Sequence, residues 1–214
     1  SLHDALPICI VPRTEVVAVA LDTSLEELKG RFVESGISKI IVYDGNIDNV
    51  VGYIHSSEMF RSPKDWRDHV KEVPIVPETM AAHKLMKLFM QQKKTIAVVV
   101  DEFGGTSGIV SLEDLVEEIF GDIEDEHDNT SYICKQIGEH EYVLSARLEI
   151  EKVNETFNLE LPESDDYLTV GGLILNQYQS FPKLHELVSV GKYQFKIIKV
   201  TATKIELVRL KVME

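Results

Sequence analysis

Apolar residues recur along this chain with two periods, and the alternation between them happens twice. Leu25, Leu28 and Phe32 are spaced as one face of a helix, and so are Leu85, Leu88 and Phe89. An extended stretch containing proline precedes each helix, Val11-Pro12 in one case and Val73-Pro74-Ile75-Val76 in the other. After each helix comes a short unbroken apolar run, Ile40 to Tyr43 or Ile96 to Val100, of the length expected for a buried strand. Both runs end in turn formers, Asp44-Gly45-Asn46 and Asp101-Glu102-Phe103-Gly104-Gly105, and lead to second strands at Val50 to Ile54 and Gly108 to Val110. A second helix is expected to close each unit. In the second copy it starts near Leu112 and gathers Leu115, Val116, Ile119 and Phe120 on one face.

The repetition holds at the level of single residues. A shift of 57 aligns Leu28 with Leu85, Phe32 with Phe89, Val42 with Val99 and Asp44 with Asp101. Beyond a loop one residue shorter, a shift of 56 aligns Gly52 with Gly108 and Glu58 with Asp114. Trp66 falls between the units, where it is expected to anchor their connector. After residue 130 the pattern changes. Tyr142-Val143-Leu144 reads as a strand, and Leu148 to Phe157 as a helix with Leu148, Val153 and Phe157 inward. Leu168 to Leu175 is an apolar run in which Gly171-Gly172 weakens a helix but permits close packing. Tyr193 to Val200 and Lys204 to Val212 read as a terminal antiparallel pair. The fold class is therefore α+β, a tandem β-α-β-β-α repeat followed by a small α+β domain. The boundaries read as 9–62 and 73–121 for the two units, with a connector at 63–72, an acidic linker at 122–130 and a last domain at 131–214.

Charge sharpens this division. The 214 residues carry 36 acids and 22 bases, a formal net charge of −14. Residues 1–112 account for −3 and residues 131–214 for −2, so −9 lies in the eighteen residues 113–130, which contain no Lys or Arg. Phosphate-backbone binding needs clustered cations, so a nucleic-acid partner is not expected. Glu113, Glu117 and Glu118 read as a solvated helix face. The run Asp122-Ile-Glu124-Asp-Glu126-His-Asp128 opens like a calcium loop but has His127 at the glycine position and Ile133 at the closing glutamate position. No metal site is assigned there. The apolar runs fall short of the roughly 20 residues needed to span a bilayer. Cys9 and Cys134 form no CxxC pair, which fits a reducing compartment.

Candidate chemistry concentrates at Gly108-Ile-Val-Ser111-Leu-Glu-Asp114. A strand stops and a helix begins at Ser111, which reads as an N-cap with Asp114 at N3. Backbone N–H groups, a hydroxyl and a carboxylate meet at one helix end, which suits a phosphate, while Asp114 can accept both hydroxyls of a ribose. The same residues can equally be a plain cap with a dipole-favouring acid. The first unit repeats the spacing in Gly52-Tyr-Ile-His55-Ser-Ser-Glu58, with His55 for Ser111 and Glu58 for Asp114. No catalytic signature accompanies either motif: GxxxxGK[ST], HExxH and GxGxxG are absent.

This arrangement resembles a pair of cystathionine β-synthase (CBS) domains. Val11-Pro12-Arg13-Thr14, Val100-Asp101-Glu102-Phe103-Gly104-Gly105-Thr106, Leu112-Glu113-Asp114-Leu115-Val116-Glu117-Glu118-Ile119 and the acidic run Phe120 to Asp128 are similar to the CorC/HlyC group of magnesium/cobalt-efflux and hemolysin-related proteins. Tyr167-Leu-Thr-Val-Gly171-Gly172-Leu and Phe181-Pro182 resemble the transporter-associated domain of that group. The resemblance covers residue 9 to the end.

It implies a non-enzymatic regulatory module at the cytoplasmic face of the cell membrane, paired as a homodimer through its CBS domains. The membrane-spanning domain would lie upstream, outside this chain. The implied ligand is AMP or ATP, with or without Mg²⁺. By position, Asp114 would hold the ribose, Ser111 and Lys39 the phosphates, and Thr14 would lie near the adenine. His is not expected to cap as Ser does, and Glu is longer than Asp, so one good site per chain is expected. His185-Glu186 stands where the family often has Gly-Glu. The alternatives are a dimerisation scaffold without nucleotide, or a metal-dependent hydrolase built on the carboxylates of 122–128.

Overall fold

The computed structural model describes residues 6–62, 64–121 and 132–214. The chain divides into two compact units, with the boundary between Leu115 and Val116.

The first unit starts with β1 (Val11–Pro12), a 3₁₀ turn at Arg13–Glu15, and β2 (Ala18–Ala20). Helix α1 (Leu25–Ser35) follows, opened by a Ser24/Glu27 capping box and closed by Gly36 in the left-handed region. Strands β3 (Lys39–Tyr43) and β4 (Val50–His55) complete a three-stranded sheet of order β2-β3-β4. The second repeat supplies β5 (Ile75–Pro77), α2 (Ala82–Gln92), β6 (Ile96–Val100), β7 (Thr106–Ser111) and α3 (Leu112–Gly121). In each sheet the strand before the helix runs parallel to the one after it, β2 beside β3 and β5 beside β6.

The reason β3 and β6 are apolar without alternation is that both of their faces are covered. Ile40 and Val42 join Leu28, Phe32, Ile54 and Trp66 in the first repeat's own core, whereas Ile41 packs with Ile96 and Val98 of the second repeat. Trp66 is buried in that first core and donates from Nε1 to the Thr23 carbonyl at 3.0 Å, which fixes the connector as expected.

Two features differ from the sequence expectations. The first repeat closes not on an α-helix but on a six-residue 3₁₀ turn, Ser56–Arg61. It stops at Ser62, whose φ is 46° and which precedes Pro63, a residue that disfavours continuing the helix through its neighbour. The first extended start also lies elsewhere, while the second stays in its own repeat as β5. Instead of staying in its own repeat, β1 pairs antiparallel with β7, Val11 opposite Ile109 and Pro12 opposite Gly108. Lys71 likewise crosses back, bridging Tyr53 of β4 in the first repeat. Each repeat is edged by chain that precedes the other. Arg13 ties the start down further: it pairs with Asp48, which also accepts the Thr106 N–H at 2.9 Å.

The second unit holds β8 (Cys134–Gly138), β9 (Glu141–Ser145), α4 (Ile150–Phe157), α5 (Val170–Tyr178), β10 (Leu187–Val190), β11 (Tyr193–Val200) and β12 (Ile205–Val212). Its antiparallel sheet has the order β10-β11-β12-β9-β8. Val153 of α4 and Leu173 and Ile174 of α5 share one core with Phe195, Val208 and Leu144. The helix expected from Leu148 begins two residues later, and Phe157 packs on Tyr142 at 4.6 Å between ring centroids. Gly171-Gly172 sits in the first turn of α5, where Thr169 caps and the Ala146 carbonyl accepts the Gly171 N–H at 2.9 Å. Such an approach needs small residues, so the glycines serve packing without preventing the helix.

Candidate functional site

Strand β7 delivers Ser111 to the start of α3, and the Ser111 hydroxyl does two things there. It accepts the Asp114 N–H at 3.0 Å, the N-cap bond, and donates to Asp114 Oδ2 at 2.8 Å. Among the described residues, Asp114 Oδ1 has no side-chain or backbone donor bonded to it in the protein, and the carboxylate is half-buried. The adjacent N–H, that of Leu112, is taken by the Thr95 carbonyl at 2.8 Å. The Ser111 hydroxyl and the N–H groups of Leu112 and Asp114 are therefore used inside the protein. An incoming phosphate would have to draw the Ser111 hydroxyl away from its cap.

Lys39 arrives from the other repeat. It opens β3, in register with His55, and its Nζ donates to Thr95 Oγ1 at 2.8 Å. Because the Thr95 carbonyl holds the first N–H of α3, the ammonium group is brought to the end of that helix. Lys39, Thr95, Ser111 and Asp114 are all half-buried and form one corner. Thr95 was missed in the sequence. The signal available was its place one residue before β6, equivalent to Ser38 before β3. The structure repeats that relation, since the Ser56 N–H bonds the Ser38 carbonyl at 2.8 Å. Thr14 is exposed in the 3₁₀ turn after β1 and makes no side-chain hydrogen bond among the described residues. It is not joined to the corner by any bond.

The equivalent corner of the first repeat is built differently. His55 does cap, against expectation: its Nδ1 accepts the Ser57 N–H at 3.1 Å, as an imidazole nitrogen without its proton can. Glu58 is 5% exposed and turned to its own repeat's connector, with Oε2 3.1 Å from His69 Nδ1 and Oε1 3.9 Å from Arg61 Nη1. The His69 approach has ion-pair distance without hydrogen-bond geometry, which leaves Oε2 without a hydrogen-bond partner among the described residues. A carboxylate so directed is the protein's own ion-pair partner. The Asp114 carboxylate, by contrast, shares only a hydroxyl.

Further along α3 the expectation of a solvated acidic face also fails. Glu113, Glu117 and Glu118 are half-buried, and Glu117 Oε1 accepts from Lys196 Nζ at 2.6 Å. The acidic run 122–128 lies outside the described residues. Among those described, no three His, Cys, Asp or Glu side chains are placed to hold a metal ion, and no helix is long and apolar enough to cross a membrane.

The CBS domain family model matches residues 9–65 and 66–121, and the CorC/HlyC transporter associated domain matches 135–214. The chain belongs to the CorC/HlyC family of CBS-domain proteins. A possible hemolysin C of Rickettsia canadensis is 35% identical over 195 residues, which is 86% of this chain and 64% of that protein. This CorC/HlyC chain thus spans just under two thirds of the length of such relatives. A magnesium and cobalt efflux protein CorC of Pasteurella multocida is 28% identical over 96% of the chain and 70% of its own length. Among solved structures, the CBS domain of a bacterial CNNM/CorC family Mg²⁺ transporter in complex with ATP is 34% identical, with a TM-score of 0.52 over 56% of this chain and 89% of that one.

Proposed function

We propose that this CorC/HlyC chain is the adenine-nucleotide-sensing regulatory part of a divalent-cation transporter-like membrane protein, acting by binding and not by catalysis. The observation that carries the reading is the corner of Ser111, Asp114, Lys39 and Thr95 at the start of α3. One carboxylate oxygen free for ribose hydroxyls, a hydroxyl and an ammonium for phosphates, and a helix N-terminus suit AMP or ATP. A relative 34% identical that was solved with ATP supports the same ligand class. Asp114 would accept from the ribose, Ser111 and Lys39 would meet phosphate, and Thr14 would lie on the adenine side. The functional parts would be 9–62, 73–121 and 131–214, with the module on the cytoplasmic face of the membrane beside a spanning domain.

A homodimer through the CBS pair belongs to this reading. Its support is Val33 of α1, 83% exposed, and Met90 of α2, 39% exposed, which occupy equivalent repeat positions on unpartnered outer faces.

Calorimetry of the chain with AMP and with ATP, each with and without Mg²⁺, tests the ligand. Asp114→Ala is expected to weaken binding about ten- to a hundredfold, the loss of a hydrogen-bonded charged group. Binding unaffected by that substitution, or none in the unaltered chain, would remove the assignment.

A further inference from the structure

The corners of the two repeats differ in more than their acids. At the second, Lys39 reaches across from the first repeat and donates from Nζ to Thr95 Oγ1 at 2.8 Å. The shift of 57 that aligns the repeats puts Thr95 at the place of Ser38 and Ile96 at the place of Lys39. Ile96 is buried and packs with Ile41 and Val98. An isoleucine brings no charge, so this position delivers a cation to the second corner and none to the first. Thr95 itself is firmly held. Its carbonyl accepts the Leu112 N–H at 2.8 Å, which ties its backbone to the first residue of α3, and its branched side chain has few rotamers to choose from. Lys39 is the opposite case, a long side chain that loses much freedom when it is held. An ammonium group has three protons, so the bond to Thr95 does not by itself exhaust it. Lys39 has another contact as well, and Thr95 is one of the groups that hold it.

We infer that Thr95 is a positioning residue for the phosphate side of the Ser111/Asp114 corner: its hydroxyl holds the Lys39 ammonium group where a phosphate at the start of α3 meets it. The inference rests on the reading that this corner binds an adenine nucleotide, and it separates the two ends of that ligand. The ribose end depends on the Asp114 carboxylate, which has no bond to the Thr95 side chain. The phosphate end depends on Lys39, because the Leu112 and Asp114 N–H groups and the Ser111 hydroxyl already have partners in the protein. Without the Thr95 hydroxyl, Lys39 gains other rotamers, and an arriving phosphate has to order the side chain at the expense of its own affinity.

The test compares AMP with adenosine, which keeps the ribose and lacks the phosphate, in calorimetry of the whole chain. Thr95→Val removes the hydroxyl while keeping the carbonyl and the branched shape. It is expected to lower the ratio of AMP to adenosine affinity about two- to tenfold, the usual cost of ordering one long side chain. Thr95→Ser, which keeps the hydroxyl, should restore the ratio, and Thr95→Val added to Lys39→Met should lower it no further than Lys39→Met alone. An unchanged ratio in Thr95→Val would overturn the inference and leave the nucleotide reading intact, because equal losses for both ligands make Thr95 a mere support of α3. The ligand-free chain supplies a second readout, the exchange of the Lys39 ammonium protons with water followed by NMR. Exchange should be slow in the unaltered chain and faster in Thr95→Val; the same rate in both would overturn the inference whether or not a nucleotide binds. If the unaltered chain binds neither AMP nor adenosine, the nucleotide reading falls, while faster exchange in Thr95→Val keeps Thr95 as the residue that places Lys39.

Discussion

Gly52 and Gly108 align in the sequence, and the structure gives the reason. A Cβ on Gly108 would overlap the Val11 carbonyl oxygen, and one on Gly52 would overlap that of Lys71. Both positions are where chain from outside the repeat lies against its last strand. Gly108→Ala is expected to cost about 1–3 kcal/mol, the usual range for forcing atoms into a packed site, as read by urea denaturation. Left-handed backbone offers the opposite test. Gly36 and Lys93 are equivalent helix ends with φ of 67° and 53°, and only the first has the residue suited to it. Lys93→Gly is expected to gain up to about 1 kcal/mol and a few degrees in Tm. At this scale the sequence shows that a position matters and hides what touches it. Ser111 and Asp114 were legible because a cap is local. Thr95 was not, since its role comes from a lysine 56 residues away. His55 was misread because the tautomer that lets imidazole accept an N–H leaves no trace in sequence.

Elements that answer to a local period were legible: α1, α2 and the buried strands β3 and β6 follow their apolar spacing. What failed was the partner of the first extended start, because strand pairing over nearly a hundred residues has no local signal. The attachment of β1 depends on Asp48, whose carboxyl is held below its ordinary range, first by the Thr106 N–H and then by Arg13. A depressed folded value means the group stabilises the fold above the ordinary carboxylate pKa, about 4, and that this contribution disappears as pH falls through the lower folded value. Asp48→Asn should therefore lower Tm at neutral pH, and its curve should converge on that of the unaltered chain once pH falls below the depressed folded value, in thermal melts across pH. Curves separated by the same amount at every pH would remove Asp48 from this role.

For the whole molecule, the net charge of −14 matters less than where it lies. Both sides of 113–130 are near balance, and the acids of α3 are partly spent on contacts such as Glu117 with Lys196. The pairing proposed for the CBS domains belongs to this scale too. If the outer faces of α1 and α2 meet a second copy, Val33→Asp should shift the chain from dimer to monomer in sedimentation, with little change in its own stability because Val33 is so exposed. A dimer that tolerates Val33→Asp would place the interface elsewhere.

The exchange of edges between the repeats also bears on how such a chain can be cut or duplicated. A single repeat taken alone keeps its helices and central strands but loses the strip of backbone that covers its last strand. That strand would then present unpaired N–H and carbonyl groups, and a second molecule could supply the missing strip. A chain begun at Val16 should accordingly form intermolecular species through β7, growing with concentration in light scattering. The pair is thus the smallest piece of this chain that covers the last strand of both repeats.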